Sequence, residues 1–296
     1  MKIIYLSRNM EKYQSASYQQ DVMEELSRNA KVFFYGPGFS SYDKKDTICD
    51  VLVKAKFDPD VIILGHAWLN DNDGSEVDPH PNLELAQTNI PKVVILNKEY
   101  TNLKEKLDYI KRGQFDLGFS HHHETGKYKN ATGTNFIFWP FAYAPHRFKD
   151  SRSLKTIDVG FSGVLQNLNK NAYQSDVRVR IMNRFFFTCM DIPLVKKKQF
   201  KDIKIFWNSI SRRKVGLYLN ALLGKRKYLT TEEYAQFMRN SKLYINTLSP
   251  IGLVSPRFFE CMASGTLVFC EESEIYQNIF PENTYVKFRN DLRDFD

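Results

Sequence analysis

Short apolar runs alternate with amphipathic stretches along this chain of 296 residues. The amphipathic stretches repeat their apolar residues with the period of a helix, as Ile48, Leu52 and Ala55 do. The apolar runs are too short for helices and predict strands. In the first half of the chain the predicted strands are 2–6, 31–35, 60–64, 92–96, 115–120 and 136–139, and the predicted helices are 18–28, 47–56 and 102–112.

The same alternation restarts after a polar and basic segment at 146–156, which predicts a linker. We therefore expect an N-terminal domain at 1–148 and a C-terminal domain at 157–296. Alternating strands and helices are typical of a parallel sheet covered on both faces, so the fold class is α/β with two Rossmann-like domains. Ligands of such sheets bind beyond the carboxyl ends of the strands, and we expect the domains to face a cleft there. In the second half the predicted strands are 158–161, 204–207, 243–246, 267–270 and 284–288, and the predicted helices are 176–187, 231–239 and 256–263.

One predicted helix carries the clearest chemical signal. Ser255 is a good N-cap, Pro256 suits the first helical position, and Gly265 suits the position after the helix. Free N–H groups at a helix N-terminus attract phosphate, and Arg257 adds a charge that can pair with a diphosphate. Glu260, about one turn later, offers two acceptor oxygens to a cis-diol such as ribose. A surface salt bridge between Arg257 and Glu260 is the competing interpretation.

This helix and the buried strand after it resemble an element of GT-B glycosyltransferases, especially of the CgeB-like (spore-protein) group. That group carries an R-x-F-E-x-x-A-x-G pattern in its C-terminal domain, matched in this sequence by Arg257, Phe259, Glu260, Ala263 and Gly265. The strands at 241–246 and 158–163 also look like strands of the family (S-K-I-x-L-N and D-V-x-F-x-G). Arg180 falls where the family has an arginine in the next helix.

The resemblance implies a GT-B glycosyltransferase that moves a sugar from a UDP or GDP sugar to a glycan, lipid-linked or polymer acceptor. The first domain would hold the acceptor and the second the nucleotide sugar. The resemblance implies no cofactor, since the nucleotide sugar is a co-substrate, and no required metal. The donor-binding residues that it implies are Ser162, Gly163, Arg180, Ser255, Arg257 and Glu260.

The sequence departs from the family pattern at two places. Many retaining members have a second glutamate eight positions before the helix glutamate, and Gly252 stands there in this chain. GT-B folds usually have a long C-terminal helix that crosses back to the first domain. Such a helix would begin near 290–296, where this sequence stops, so we expect the fold to lack it. Two alternatives therefore stay open: a non-catalytic nucleotide- or sugar-binding protein of the same fold, and a nucleotide-sugar epimerase.

Two histidines of the first half are candidates for catalysis. His66 follows the predicted strand 60–64, where related enzymes often place a histidine near the donor sugar or the acceptor. A capped loop histidine is the competing interpretation of His66. His122 lies in a His-His-His-Glu run after the strand 115–120 and is suited to acid–base chemistry. We expect no metal site, because the sequence places no convincing third ligand beside these histidines.

The formal charge of +8 is concentrated in one segment. Between residues 194 and 228, eleven basic residues are opposed by one acid, Asp202. This run predicts either a solvated basic face or a surface for an anionic membrane or a polyanionic acceptor. Nucleic acid is less favoured as a partner, because no nucleic-acid-binding motif accompanies the charge. The basic residues are Lys196, Lys197, Lys198, Lys201, Lys204, Arg212, Arg213, Lys214, Lys225, Arg226 and Lys227.

Membrane spans and disulfides are not indicated by the sequence. No apolar run approaches the roughly 18–20 residues that cross a bilayer, and the run at 2–6 is too short for a signal peptide. The four cysteines show no C-x-x-C spacing, which favours reduced thiols. We therefore expect a cytoplasmic protein, with the basic run as a contact for the inner face of the membrane.

Overall fold

The computed structural model of the chain divides into two compact units, Met1–Pro140 and Phe141–Asp296. The sequence places the end of the first domain at residue 148. The structure divides the chain earlier, because Ala144 and Phe148 are buried in a core of the second unit. The structure describes residues 1–9, 11, 17–65, 82–97, 99, 102–152, 154–165, 177–189, 192–211, 229–249 and 251–295.

The first unit contains a six-stranded parallel sheet with the strand order β2-β1-β3-β4-β5-β6. Helices lie between most consecutive strands, as the alternating pattern predicts. The strands are β1 (Lys2–Leu6), β2 (Lys31–Tyr35), β3 (Val61–Leu64), β4 (Lys92–Leu96), β5 (Leu117–Ser120) and β6 (Asn135–Phe138), and the helices are α1 (Ser17–Asn29), α2 (Ile48–Ala55), α3 (Leu103–Gly113) and α4 (Gly126–Thr132).

Apolar side chains cover both faces of this sheet. Successive residues of a strand point to opposite faces. In β1, Ile4 and Leu6 join one core cluster, whereas Ile3 and Tyr5 join another. Each buried side chain of this size stabilises the fold by roughly 1.5–3 kcal/mol, and burial on both faces explains why the strands are continuous apolar runs.

The second unit contains a five-stranded parallel sheet with the strand order β10-β7-β11-β12-β13. Turns follow β13, and no helix lies between it and residue 295. The strands are β7 (Ile157–Leu165), β8 (Phe186–Cys189), β9 (Ile192–Lys196), β10 (Ile205–Ser211), β11 (Ser241–Asn246), β12 (Leu267–Glu271) and β13 (Tyr285–Phe288), and the helices are α5 (Val177–Phe185), α6 (Thr231–Asn240), α7 (Pro256–Ala263) and α8 (Glu274–Gln277).

The predicted helix at 176–187 is shorter in the structure. α5 ends at Phe185, and Phe186–Cys189 forms β8, which pairs antiparallel with β9. Aromatic and β-branched residues favour strands, and the run Phe186-Phe187-Thr188 consists of them. Pairing with β9 stabilises residues 186–189 as a strand. The helical period of the residues before them does not reveal this pairing.

The ends and the buried face of α7 hold it in place. Ser255 has the extended backbone of an N-cap, and Pro256 is the first helical residue, as predicted. Phe258 is fully buried, with ring centroids 4.8 Å from Tyr276 and 5.7 Å from Phe280. This aromatic packing fixes the helix that carries the candidate site residues.

Among the residues that the structure describes, no helix is long and apolar enough to cross a membrane.

Candidate functional site

A cluster of polar side chains lies at the carboxyl ends of β7 and β11 in the second unit. Ser162 and Gly163 lie in the second half of β7, and Asn246 is the last residue of β11. The two strands are neighbours, so their carboxyl ends meet at one edge of the sheet. The first turn of α7 reaches the same edge. Ligands of doubly wound sheets bind at such edges.

Arg257 joins α7 to β7. Its Nη1 donates a hydrogen bond to the backbone carbonyl of Ser162 at 2.5 Å. The hydroxyl of Ser162 lies 2.5 Å from that of Tyr244. A Cβ atom on Gly163 would lie 2.6 Å from Nη1 of Arg257, closer than real Cβ contacts. The guanidinium can therefore occupy this place only beside a glycine.

A second arginine, Arg178, lies in the first turn of α5 and is 5% exposed. Its Nε donates to Oγ1 of Thr247 at 2.5 Å, and its Nη1 donates to the carbonyl of Val164 at 2.8 Å. Burial, followed by the positive charge of Arg257, lowers the pKa of Arg178 to about 10, which leaves it charged at neutral pH. Two neighbouring arginines with neutral acceptors form a site that attracts an anion.

Glu271 is the acid whose charge acts on Arg178. It lies on β12 and is fully buried, and its Oε1 accepts from the backbone N–H of Leu248 at 2.7 Å. Burial raises the pKa of Glu271, which favours its neutral form. Glu271 therefore offsets the positive charge of the arginines only in part.

The side-chain amide of Asn246 and the N-terminus of α7 lie beside the arginines. Asn246 is 1% exposed, and its Oδ1 accepts from the backbone N–H of Thr247 at 3.0 Å and from the hydroxyl of Ser255 at 3.4 Å. Its Nδ2 has no hydrogen-bond partner in the described part of the chain. Ser255 occupies the N-cap position of α7, but its hydroxyl does not cap a helix N–H. The N-terminus of α7 thus lies next to Asn246 without a hydrogen bond from the side chain of its N-cap residue.

Glu260 lies about one turn after Arg257 and is 7% exposed. Its Oε2 accepts from the hydroxyl of Tyr234 at 2.8 Å. Burial raises the pKa of Glu260 to about 7, although the hydrogen bond from Tyr234 and the charges of Arg257 and Arg147 lower it. The carboxyl group is therefore about half ionised at neutral pH. Arg257 donates to Ser162 and Glu260 accepts from Tyr234, so the structure does not show the surface salt bridge between them that the competing interpretation expects.

The predicted donor-binding residues do not all lie together. Arg180 is directed elsewhere, since its Nη1 donates to the carbonyl of Asn290 at 2.8 Å. Arg178 provides the arginine of α5 at the strand ends instead. Residues two apart on a helix point about 200° away from each other, and the sequence Val-Arg-Val-Arg does not show which arginine faces the sheet. The predicted residues that the structure brings together are Ser162, Gly163, Ser255, Arg257 and Glu260.

Gly252 stands where related enzymes have a second glutamate. It lies in a tight turn in which its N–H donates to the carbonyl of Ser249 at 2.9 Å. Its φ is +77°, a conformation that favours glycine over any residue with a Cβ. The loop before α7 thus supplies backbone, not a carboxylate, at this position.

A second polar cluster lies at the carboxyl ends of β4 and β5 in the first unit. Asn97 is 2% exposed, and neither polar atom of its side chain has a hydrogen-bond partner in the described structure. Oε1 of Glu99 accepts from the hydroxyl of Ser120 at 2.9 Å, whereas its Oε2 has no partner there. Burial raises the pKa of Glu99. Buried polar atoms normally have partners, so these atoms mark a place for a polar ligand or water.

The histidines after β5 differ in their surroundings. The backbone N–H of His122 donates to Oγ of Ser120 at 2.9 Å, and its Nδ1 accepts from the backbone N–H of Glu124 at 3.1 Å. Neutral His122 therefore carries its proton on Nε2. His121 stacks on Trp139, and its Nδ1 lies 2.8 Å from the carbonyl of that residue. Burial lowers the pKa of His121 to about 4 despite this hydrogen bond, so it stays neutral.

His66, the other predicted catalytic residue, lies outside the described residues. Nothing in the sequence singles out Asn97 or Glu99, because single polar residues after strands are common in turns. Only their burial distinguishes them. Within the described ranges, no three His, Cys, Asp or Glu side chains are grouped to hold a metal ion.

Solved structures with a similar fold include two of the Anabaena protein HepE. The structure of HepE in complex with UDP-glucose matches with a TM-score of 0.57 and 11% sequence identity, over 100% of this chain and 88% of HepE. The structure of HepE in complex with UDP and glucose matches with a TM-score of 0.53 and 12% identity, over 98% of this chain and 86% of HepE. No curated protein sequence matches the chain.

The second unit also matches a protein family. Residues 206–296 match the family model described as glycosyl transferase-like. This region contains α7 with Arg257 and Glu260. The chain has a GT-B fold of Rossmann-like domains. The predicted fold class is therefore confirmed.

The close approach of Arg257 to β7 predicts that Gly163→Ala destabilises the protein. The new Cβ atom would displace the guanidinium and leave the carbonyl of Ser162 without its donor. We expect the free energy of unfolding to fall by about 1–3 kcal/mol, measured by chemical denaturation. Gly126→Ala is the control, since a Cβ atom there meets nothing within 4 Å. Equal stability of the two variants would contradict the contact.

Proposed function

We propose that the protein is a glycosyltransferase that moves a sugar, a hexose, from a UDP or GDP sugar to a glycan, lipid-linked or polymer acceptor. The observation that carries the proposal is the pair of arginines, the buried Arg178 and the half-buried Arg257, beside the N-terminus of α7. The family match of residues 206–296 and the fold shared with HepE, solved with UDP and UDP-glucose, support it. Membership of the CgeB-like group is part of the proposal and rests on the R-x-F-E-x-x-A-x-G pattern.

The polar cluster of the second unit suits a nucleoside diphosphate. Arg178 and Arg257 would bind the diphosphate oxygens, because guanidinium groups donate paired hydrogen bonds to phosphate. The N-terminus of α7, with its partial positive charge, and Nδ2 of Asn246 would also attract the anion. Gly163 leaves room for the guanidinium of Arg257 beside β7. Ionised Glu260 would accept from the ribose hydroxyls.

The proposed reaction exchanges one bond at the anomeric carbon of the sugar. The bond from this carbon to the β-phosphate oxygen breaks, and the diphosphate leaves with the electron pair. Arg178 and Arg257 would stabilise the negative charge that grows on it. A bond from the same carbon to the acceptor oxygen forms, and the acceptor proton passes to a base. His66 and His122 are the candidates from the sequence, and Glu99, with its raised pKa and unpaired Oε2, is added by the structure.

Turnover separates this function from the alternatives. In a panel of nucleotide sugars, the correct donor should raise the melting temperature of the protein. The wild-type protein should then release nucleoside diphosphate only with an acceptor, in EDTA as well, since we propose no metal or cofactor. An epimerase would yield an isomeric sugar without an acceptor, and a binding protein would yield neither. His122→Gln and Glu99→Gln should lower turnover about 100-fold with unchanged nucleotide affinity. Full activity in both variants would remove this cluster from the mechanism.

The arginine that binds the diphosphate can be identified by calorimetry. Arg178→Gln and Arg257→Gln should each weaken binding of the nucleoside diphosphate by about 2 kcal/mol, or about 30-fold. Binding of the bare nucleoside should not change, because the arginines face only the diphosphate. Arg180→Gln is the matched control in the same helix and should bind like the wild type. A loss in Arg180→Gln equal to that in Arg178→Gln would place the diphosphate elsewhere.

The raised pKa of Glu260 predicts that nucleotide affinity depends on pH. Ribose hydroxyls donate to the ionised carboxylate, and only about a tenth of Glu260 is ionised one pH unit below its pKa of about 7. Affinity should therefore be about tenfold lower near pH 6 than near pH 8. Binding near pH 6 should release a proton, which calorimetry in buffers of different ionisation enthalpy detects. Glu260→Gln should show no such dependence, and a wild-type protein without it would contradict the ribose contact.

A further inference from the structure

A two-stranded ribbon lies apart from the five-stranded sheet of the second unit. β8 and β9 pair antiparallel, with Phe186 opposite Lys196 and Phe187 opposite Val195. Residues that face each other across an antiparallel pair lie on the same side of it. Phe186 packs inward, with its ring centroid 6.0 Å from that of Trp207. Phe187 and Val195 therefore lie on the outer side.

The outer side of the ribbon is apolar and open to solvent. Phe187 is 61% exposed and Val195 is 63% exposed. Leu194, which an irregularity in the pairing leaves without a partner on β8, is 59% exposed beside Val195. Other exposed apolar side chains of the described chain, such as Val53 and Leu154, occur singly in the sequence. Apolar surface in water is unfavourable, and a continuous patch of it marks a place of contact.

Lysines border this apolar patch. Nζ of Lys197 lies 5.5 Å from the ring centroid of Phe187, which connects the charge to the outer side. The stretch after β9 adds the exposed Lys198, Lys201 and Lys204. The acid in the described stretch 192–211 is Asp202. Lys197 thus lies against an exposed apolar side chain, and the exposed lysines that follow it in the described stretch are its near neighbours in the sequence.

The combination of apolar and cationic groups decides what fits this surface. A soluble polyanion would bind the lysines but leave Phe187 and Val195 in water. A second copy of the chain would bring the same lysines together, and like charges repel. An anionic bilayer satisfies both groups, because aromatic and aliphatic side chains enter the acyl boundary while lysines reach the headgroups.

We propose that the β8–β9 ribbon and the lysines after it dock the second unit on an anionic lipid bilayer. Phe187, Leu194 and Val195 enter the interface between headgroups and acyl chains. Lys198, Lys201 and Lys204 contact the anionic headgroups. This surface is separate from the polar cluster at the strand ends, so docking does not depend on the proposed glycosyl transfer.

Cosedimentation of the full chain with vesicles tests the proposal. Vesicles of phosphatidylcholine and phosphatidylglycerol should pellet the protein at low salt, and pure phosphatidylcholine should pellet about tenfold less. Raising the salt to about 0.5 M should release most of the protein, because it shortens the range of the charges. Failure to pellet with the anionic vesicles at low salt overturns the proposal.

Substitutions on the outer side test the apolar part. Phe187→Ser combined with Val195→Thr should weaken vesicle binding about tenfold. Val53→Thr combined with Leu154→Ser is the control, since it also removes two exposed apolar side chains. All four positions are exposed, and unchanged thermal melting verifies the fold. Equal binding by the two double variants overturns the proposal. The proposal is also overturned if light scattering shows that the wild-type protein is a dimer and that Phe187→Ser with Val195→Thr, but not the control, makes it a monomer.

Substitutions of lysines distinguish a local surface from net charge. A triple variant of the lysines after β9 and a triple control variant each lose three exposed cations, so their net charges are equal. The variant of the lysines after β9 should bind anionic vesicles about tenfold more weakly, and the control should not. Equal weakening by both variants would leave only an effect of net charge and overturn the proposal. The variant of the lysines after β9 carries Lys198→Gln, Lys201→Gln and Lys204→Gln, and the control carries Lys45→Gln, Lys104→Gln and Lys111→Gln.

Discussion

The contact between Arg257 and the backbone of β7 sets the geometry of the polar cluster in the second unit. The guanidinium reaches the carbonyl of Ser162 because Gly163 has no Cβ atom to exclude it. The first turn of α7 is thereby held against the end of β7, and Ser255 comes within hydrogen-bond distance of Asn246. A single glycine thus determines how closely a helix N-terminus, with its partial positive charge, approaches the strand ends.

The same cluster buries charge, and this burial determines its chemistry. Taking a guanidinium out of water is unfavourable unless hydrogen bonds replace the lost solvent. Arg178 donates such bonds to neutral oxygens of Thr247 and Val164, which stabilise it without cancelling its charge. Burial also moves the pKa of Glu260 to about 7, so the acid of the cluster titrates near neutral pH. The site therefore combines the permanent positive charge of the arginines with a carboxyl group that can gain or lose its proton near neutral pH.

Unpaired polar atoms occur at the carboxyl ends of the strands in both units. Within the described ranges, no hydrogen bond is made by Nδ2 of Asn246 in the second unit, or by the side-chain amide of Asn97 and Oε2 of Glu99 in the first. In the first unit, apolar side chains cover both faces of the sheet. A polar ligand in each unit, as the proposed transfer requires, would find its partners at these edges.

The sequence by itself determined most of the strands, the α/β class and the position of α7, because hydrophobic period and helix caps are local signals. It also predicted Arg257 and Glu260 as residues of one site, since their spacing in one helix fixes their separation. The tertiary structure decided that Arg178, not Arg180, faces the strand ends, because the rotation of α5 depends on the sheet it packs against. The tertiary structure also decided that the residues after Phe185 form a ribbon, which requires pairing with β9. Burial raises the pKa of Glu260 and of Glu99, and burial is a property of the packed chain that no local pattern encodes.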